Sequence, residues 1–331
     1  MSNKTVYTKR FLFLFLCMLI AAAGIAQPVR ITVAKDGSGD FTSVQEAINA
    51  VKDSNTSVTT IYIKKGIYKE KLRLPEAKMN VHFAGEDVNN TLLTYDDYAS
   101  KKDSTGKDIG TSGSASFFIF GSGFSAENIS FENAAGPVGQ AVAVRITGDR
   151  ARFINCRFLG FQDTLYTHGN ESRQYYFNCY IEGTVDFIFG SSTALFDSCT
   201  LFGKKGGYFT AASTPENKSF GYVFRNCIVT GNAAPESFYL GRPWRPFAKV
   251  VFLNCQLGSL IKKEGWNNWG NVANEKTALF AEYGNTGEGA AMNARVPWAR
   301  QYSSKEAKQF TTAAILSGWN PLADHSFNNK N

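Results

Sequence analysis

The sequence predicts an all-β protein wound as a parallel β-helix, a solenoid in which each turn of chain stacks on the one before. Three observations carry this. A short motif ending in cysteine recurs every 20 to 28 residues. The segments between the marks are short runs rich in Phe, Val, Ile, Thr and Tyr, broken by Gly and Asn, which read as strands. No leucine ladder and no 3.6-residue apolar rhythm runs through them, so leucine-rich and helical repeats are excluded.

The motif is an aromatic residue, any residue, Asn or Ser, then Cys. Phe153-Ile154-Asn155-Cys156, Tyr176-Phe177-Asn178-Cys179, Phe196-Asp197-Ser198-Cys199, Phe224-Arg225-Asn226-Cys227 and Phe252-Leu253-Asn254-Cys255 all fit it. Phe131-Glu132-Asn133-Ala134 reads as an earlier copy with Ala in the cysteine place. The aromatic positions are then separated by 22, 23, 20, 28 and 28 residues. Stacked at the strand spacing of ~4.8 Å, the recurrent Asn pairs between turns at a bend and the small Cys packs inward. Neighbouring cysteines would lie within disulfide reach. An odd number of them, five, points instead to free buried thiols.

In chain order, residues 1–26 read as an export leader. Lys4, Lys9 and Arg10 precede an apolar run from Phe11 to Ile20, and Gly24 and Ala26 supply small residues before the cleavage point. The apolar stretch is shorter than the ~20 residues that span a bilayer, and Leu16 before Cys17 is wrong for lipid attachment. A single mature domain, 27–331, follows. Removing the leader cations lowers the formal charge from +7 to +4, which suits an acidic partner but is also ordinary for solubility. Residues 41–51 carry Val44, Ala47, Ile48 and Val51 on one helical face, with Ser43 and Glu46 spaced as a capping box. A helix here would cap the first turn. A strand is expected at 59–63, a long polar loop at 96–113, turns continuing to about Phe280, and a helical tail at 303–316 packed back along the stack.

Equal offsets from the repeat mark imply vertical neighbours. Asp163 lies seven residues after Cys156, and Asp186 seven after Cys179. Gln140 lies six after Ala134, and Gln162 six after Cys156. Two carboxylates should therefore face each other on adjacent turns with two amides beside them. So close a pair cannot ionise twice cheaply; one proton is retained or a cation intervenes. A carboxylate beside a carboxylic acid is a working pair for acyl transfer, and a solvated polar ladder is the bland alternative. Gln162 and Asp163 are consecutive, so a bend is required for both to reach one site.

Other chemistries lack their residues. Only His82, His168 and His325 are present, and there is no Gly-x-Ser-x-Gly elbow, no zinc-ligand spacing and no Walker loop. No cofactor, metal or nucleic acid is expected.

Five segments, in order, closely resemble the pectin methylesterase (pectinesterase) family. They are Gly66-Ile67-Tyr68-Lys69-Glu70, Gln140-Ala141-Val142-Ala143-Val144-Arg145, Gly160-Phe161-Gln162-Asp163-Thr164-Leu165-Tyr166, Gly183-Thr184-Val185-Asp186-Phe187-Ile188-Phe189-Gly190 and Leu240-Gly241-Arg242-Pro243-Trp244. The resemblance covers almost all of the mature chain. It implies a right-handed coil and hydrolysis of the methyl ester of galacturonate units in pectin; with the leader, a monomer acting outside the cell or in the periplasm is expected. It implies Asp186 as nucleophile, Asp163 as acid and then base, Gln140 and Gln162 as donors to the oxyanion, and Arg242 as the partner that keeps Asp186 ionised. Trp244, Thr111 and Phe187 would contact the sugar chain. Tyr68 and Glu70 read as structural. Trp266 and Trp269 either line the cleft or fold their loop. The stretch around Asn170-Glu171-Ser172 is about two residues longer than in many relatives and is expected to bulge near the cleft rim. The rivals are an esterase or thioesterase of the same fold acting elsewhere, and a carbohydrate-binding solenoid without catalysis.

Overall fold

The computed structural model describes residues 29–323, so the expected leader and His325 lie outside the described residues. The chain coils as a right-handed parallel β-helix with three sheets of eleven, seven and eight strands, paired in parallel throughout. One complete turn shows the plan. Arg173–Phe177 lies in the first sheet, Tyr180–Gly183 in the second and Ile188–Gly190 in the third. Single residues in the left-handed backbone region make the sharp corners between them.

At the first corner the mark residues do what their chemistry allows. Asn128, Asn155, Asn178, Ser198, Asn226 and Asn254 all have φ between 49° and 57°, a conformation Asn tolerates better than most side chains. Asn155 donates to the Asn128 side chain at 2.7 Å, and Asn178 to Asn155 at 3.5 Å. The aromatic of each mark points inward. Phe153, Tyr176, Phe196, Phe224 and Phe252 form a column with ring centroids 5.1, 4.5, 4.5 and 4.4 Å apart, each contact contributing about 0.5–1.5 kcal/mol beyond burial. The five cysteines are buried and free. Cys179, Cys199, Cys227 and Cys255 each direct the thiol at the carbonyl of a column aromatic one turn back, at 3.4–3.6 Å.

The earliest supposed copy is out of register. Phe153 pairs with Ala126 and Ile154 with Glu127, so Asn128 and Ile129 hold the Asn and Cys places. Phe131 pairs with Phe158 in the second sheet, and Asn133 closes that strand.

The capping helix is α1, Val44–Ala50, with Val44, Ala47 and Ile48 buried. Its N-terminus is held differently from a capping box. Ser43 accepts from the Glu46 N–H, but the carboxylate comes from Glu70, which accepts from the Ser43 hydroxyl and from the N–H groups of Val44 and Gln45 at 2.7–3.0 Å. Glu70 thereby locks helix to stack, while buried Tyr68 donates to the Lys64 carbonyl; both are structural. The strand at Thr59–Ile63 is present. The tail forms two short helices, Ser304–Ala307 and Thr312–Ile315. Phe310, Ile315, Leu316 and Trp319 cover the outer face of the first sheet at Tyr175, Leu195, Val223 and Val251. The tail does run back along the stack.

Candidate active site

The second corner, between the second and third sheets, carries the carboxylates. Asp163 and Asp186 have φ of 63° and 53°. These left-handed residues supply the bend that lets Gln162 and Asp163 reach one place. The strands that follow pair Leu165 with Ile188, and Asp163 N–H donates to the Val185 carbonyl, so the two aspartates are vertical neighbours on adjacent turns. Both are buried, at 7% and 6% exposure. Gln140 and Gln162 face each other across an isolated parallel bridge beside them.

The amide pairing expected from equal offsets is observed, though one offset rests on the misplaced copy. The Ile129 mark lies eleven residues before Gln140, against six from Cys156 to Gln162. A five-residue excursion in the 134–139 loop compensates for a five-residue error in register.

Arg242 reaches Asp186 from two turns further along. Its Nε donates to Oδ1 at 2.8 Å and a terminal nitrogen to Oδ2 at 2.6 Å, the bidentate geometry of a strong charge-assisted pair. The guanidinium is sandwiched between the rings of Tyr208 and Trp269, 3.9 and 3.7 Å from their centroids, which fixes its plane.

The carboxylates differ in proton affinity. Burial holds the Asp163 carboxyl well above the usual range, and the Asp186 charge pushes it the same way, with Arg242 opposing. Burial also raises Asp186, but there the bonds and charge of Arg242 pull directly against it. Of the two, Asp163 has the higher proton affinity.

The site opens into a cleft of about 330 Å³ lined by Thr111, Gln140, Gln162, Asp163, Tyr166, Asp186, Phe189, Arg242, Trp244 and Trp269, with Ser112 and Ala211 completing the wall. Trp244 stands edge-on to Tyr166 and Phe189, whose rings stack at 4.2 Å. Thr111 and Trp244 thus lie where the sequence suggested. Phe187 does not. It is fully buried, packed on Phe209 and Phe238, because the chain turns inward directly after the Asp186 corner. The cleft aromatic of that strand is Phe189. Tyr166 and Phe189 were missed by the sequence reading, although each lies three residues after its aspartate and the register argument reaches them. Of the two open tryptophans, Trp269 lines the cleft and Trp266 is core, its Nε1 donating to Glu282 at 3.2 Å. The bulge at Asn170-Glu171-Ser172 is away from the cleft. Glu171 pairs with Lys218, and buried Ser172 donates to the Gly148 carbonyl, beside a separate depression.

Two buried carboxylates of unequal proton affinity, one of them clamped by an arginine, can divide the labour of nucleophile and acid in an acyl transfer. Fold and site fit the class of β-helical hydrolases with a paired-carboxylate cleft. The family model described as Pectinesterase matches residues 30–319, and the chain belongs to the pectinesterase family. It is 46% identical to pectinesterase 31 of Arabidopsis thaliana over 286 residues, covering 85% of this chain and 90% of that one. A probable pectinesterase/pectinesterase inhibitor of Brassica napus is 40% identical over 300 residues, 86% of this chain but 50% of that longer protein. Among solved structures, pectin methylesterase from carrot superposes with a TM-score of 0.82 at 34% identity, covering 91% of this chain and 98% of that one. A pectin methylesterase in complex with a hexasaccharide superposes at 0.78 with 30% identity, covering 89% and 99%.

Proposed function

We propose that this chain hydrolyses the methyl esters of galacturonate units in pectin and releases methanol. The observation that carries the reading is the unequal carboxylate pair, with Asp186 clamped by Arg242 and Asp163 buried without such a clamp. An oxygen of Asp186 attacks the ester carbonyl carbon, and Gln140 and Gln162 donate to the oxygen as it becomes an oxyanion. A donor of this kind is worth about 10²–10³ in rate. The bond to the methoxy oxygen breaks as Asp163 transfers its proton to it. Asp163, now a carboxylate, takes a proton from water, whose oxygen attacks the Asp186-bound acyl carbon. The galacturonic acid leaves and gives its proton to solvent, Asp186 is regenerated as carboxylate, and Asp163 is protonated again.

Trp244, Tyr166 and Phe189 give an apolar floor for sugar faces, and Thr111 lines the same cleft. An acidic polymer suits the third sheet's outer face, where Arg73, Phe118, Arg145 and Tyr166 follow one another along one register column towards the carboxylates. Neither Arg73 nor Arg145 is ion-paired among the described residues; a terminal nitrogen of Arg145 donates to the Ser112 carbonyl at 3.2 Å, and its Nε is buried without a hydrogen-bond partner. The leader at 1–26 and a single domain at 27–331 belong to the same reading, which places a monomer outside the cell or in the periplasm. No helix among the described residues is long and apolar enough to cross a membrane. Methanol release from highly methylated pectin tests the proposal, and its absence with hydrolysis of another ester would favour the same-fold esterase reading.

A further inference from the structure

Gln140 belongs to no extended strand, yet its amide must meet a developing oxyanion within tenths of an ångström. Two contacts hold its backbone. Ala141 N–H donates to the Gln162 carbonyl at 3.1 Å, and the Gln140 carbonyl accepts from Ala99 N–H at 2.8 Å. The second contact comes from the long polar loop at 96–113, so the placement of Gln140 depends on what holds that loop.

The loop converges on one side chain. Asn133, 3% exposed, donates through Nδ2 to the carbonyls of Asp97 at 2.8 Å, Val142 at 2.9 Å and Ser114 at 3.2 Å. Two amide hydrogens serve three acceptors, so one is shared. Its Oδ1 accepts from Ala135 N–H at 3.0 Å. Asp97 opens the loop, Ser114 follows its end, and Val142 lies two residues beyond Gln140. Ser114 reinforces the same junction, its hydroxyl donating to the Thr111 carbonyl at 2.8 Å and accepting from Val142 N–H at 3.2 Å. Inside the loop, Gly110 N–H bonds the Ala99 carbonyl at 2.8 Å, which joins the Thr111 turn to the residue that holds Gln140.

We infer that Asn133 is a positioning residue that sets the Gln140 amide by latching both ends of the 96–113 loop to the chain around Gln140. The inference rests on the reading of Gln140 as an oxyanion donor. Asn133 touches no substrate. It is the residue the sequence offered as a repeat mark, and its freedom from the corner column leaves its amide available for the latch. A misplacement of about 1 Å at a reacting centre costs on the order of 10²-fold in rate, so loosening the latch acts on kcat. The sugar floor of Tyr166, Phe189 and Trp244 stands on other strands, so of the sugar contacts only Thr111 moves with the loop and KM changes little.

The test is a double-mutant cycle on methanol release from pectin, using Asn133→Ala, Gln140→Ala and the pair, with unfolding midpoints recorded for each. Asn133→Ala is expected to lower kcat by about 10- to 100-fold with KM within about threefold. In the Gln140→Ala background the same change is expected to cost less than about twofold, because the group it positions is gone. An undiminished loss in that background, or unchanged kcat in folded Asn133→Ala, overturns the latch alone. A Gln140→Ala enzyme with normal kcat overturns the oxyanion reading and the latch with it. If Asn133→Ala does not fold, Ser114→Ala opens the same junction with one hydroxyl removed, and the cycle with Gln140→Ala is read by the same criteria.

Discussion

Asp163 and Asp186 occupy equivalent left-handed corners on adjacent turns, yet only Asp186 is gripped by a cation. That asymmetry makes two similar carboxyls chemically different, and it has a cost in stability. A carboxyl whose pKa is raised by folding binds more protons folded than unfolded as pH rises above its ordinary range. Stability is then greatest below the unfolded value of about 4 and is lost as pH climbs through the folded value. Asp163, raised furthest, destabilises the neutral protein. Asp163→Asn is expected to raise the unfolding midpoint by about 2–4 °C at pH 7. The gain should vanish near pH 3, where both states carry the proton. An equal gain at both pH values would show that the ionised form is not disfavoured by folding. The same variant should release methanol far more slowly, since the leaving methoxide loses its acid.

Activity should follow a bell-shaped curve in pH. It rises as Asp186 ionises and falls as Asp163 loses its proton, with both limbs above the ordinary carboxylate range because burial raises both groups. Arg242 opposes the rise at Asp186, so Arg242→Gln should move the acidic limb to higher pH and lower kcat. A pH–rate profile with an unmoved acidic limb would separate Arg242 from the ionisation of Asp186.

Removing the nucleophile is the sharper cut. Asp186→Asn keeps the shape of the side chain and should reduce methanol release by about 10⁴-fold or more. Arg242 keeps its aromatic sandwich in this variant, and the stack should remain folded by circular dichroism. Near-normal turnover in a folded protein would refute a covalent intermediate on Asp186.

The carboxylate pair was legible in the sequence because the cysteine marks and the corners lie on the same turns with no insertion between them. Gln140 was placed correctly for an unsound reason. The Phe131 mark is wrong by five residues, and the loop before Gln140 is longer by the same amount; loop lengths between strands leave no periodic signal. Phe187 was assigned to the sugar chain by resemblance alone, whereas the chain turns inward directly after the left-handed Asp186 corner and buries it. Glu70 was recognised as structural, but its capping of α1 spans more than twenty residues of sequence, and local spacing pointed to Glu46 instead. The choice between Trp266 and Trp269 depended on burial by a loop with no repeat to register it.

Trp244 offers a test of the polymer contact. Its ring packs edge-on against Tyr166 and Phe189 and borders the carboxylates. Trp244→Ala should raise KM for pectin by about 10-fold, the value of roughly 1–2 kcal/mol of aromatic contact, with a smaller effect on a short methyl ester. Equal loss on both substrates, measured as kcat/KM, would assign the ring to packing.

The cationic column predicts how the enzyme responds to salt. Arg73 lies over Phe120, 4.5 Å from the ring centroid, and Arg145 over Tyr166 at 5.4 Å. Neither has a carboxylate partner among the described residues, so their charge is available to free galacturonates on a partly de-esterified chain. Exposed attractions of this kind weaken as the screening length shortens from about 10 Å at 0.1 M to about 3 Å at 1 M salt. KM for partly methylated pectin should therefore rise with ionic strength, and KM for fully methylated pectin should change little. Arg73→Gln and Arg145→Gln should each raise KM on the partly methylated polymer by about 2- to 5-fold at low salt, the range of an exposed charge contact, and flatten its salt dependence. Neither residue touches the carboxylate pair, so kcat at saturation should hold within about twofold. Initial rates of methanol release at several salt concentrations, on two pectins of known methylation, decide the matter. If the salt dependence of the two variants matches that of the parent protein, the acidic chain does not run along this column.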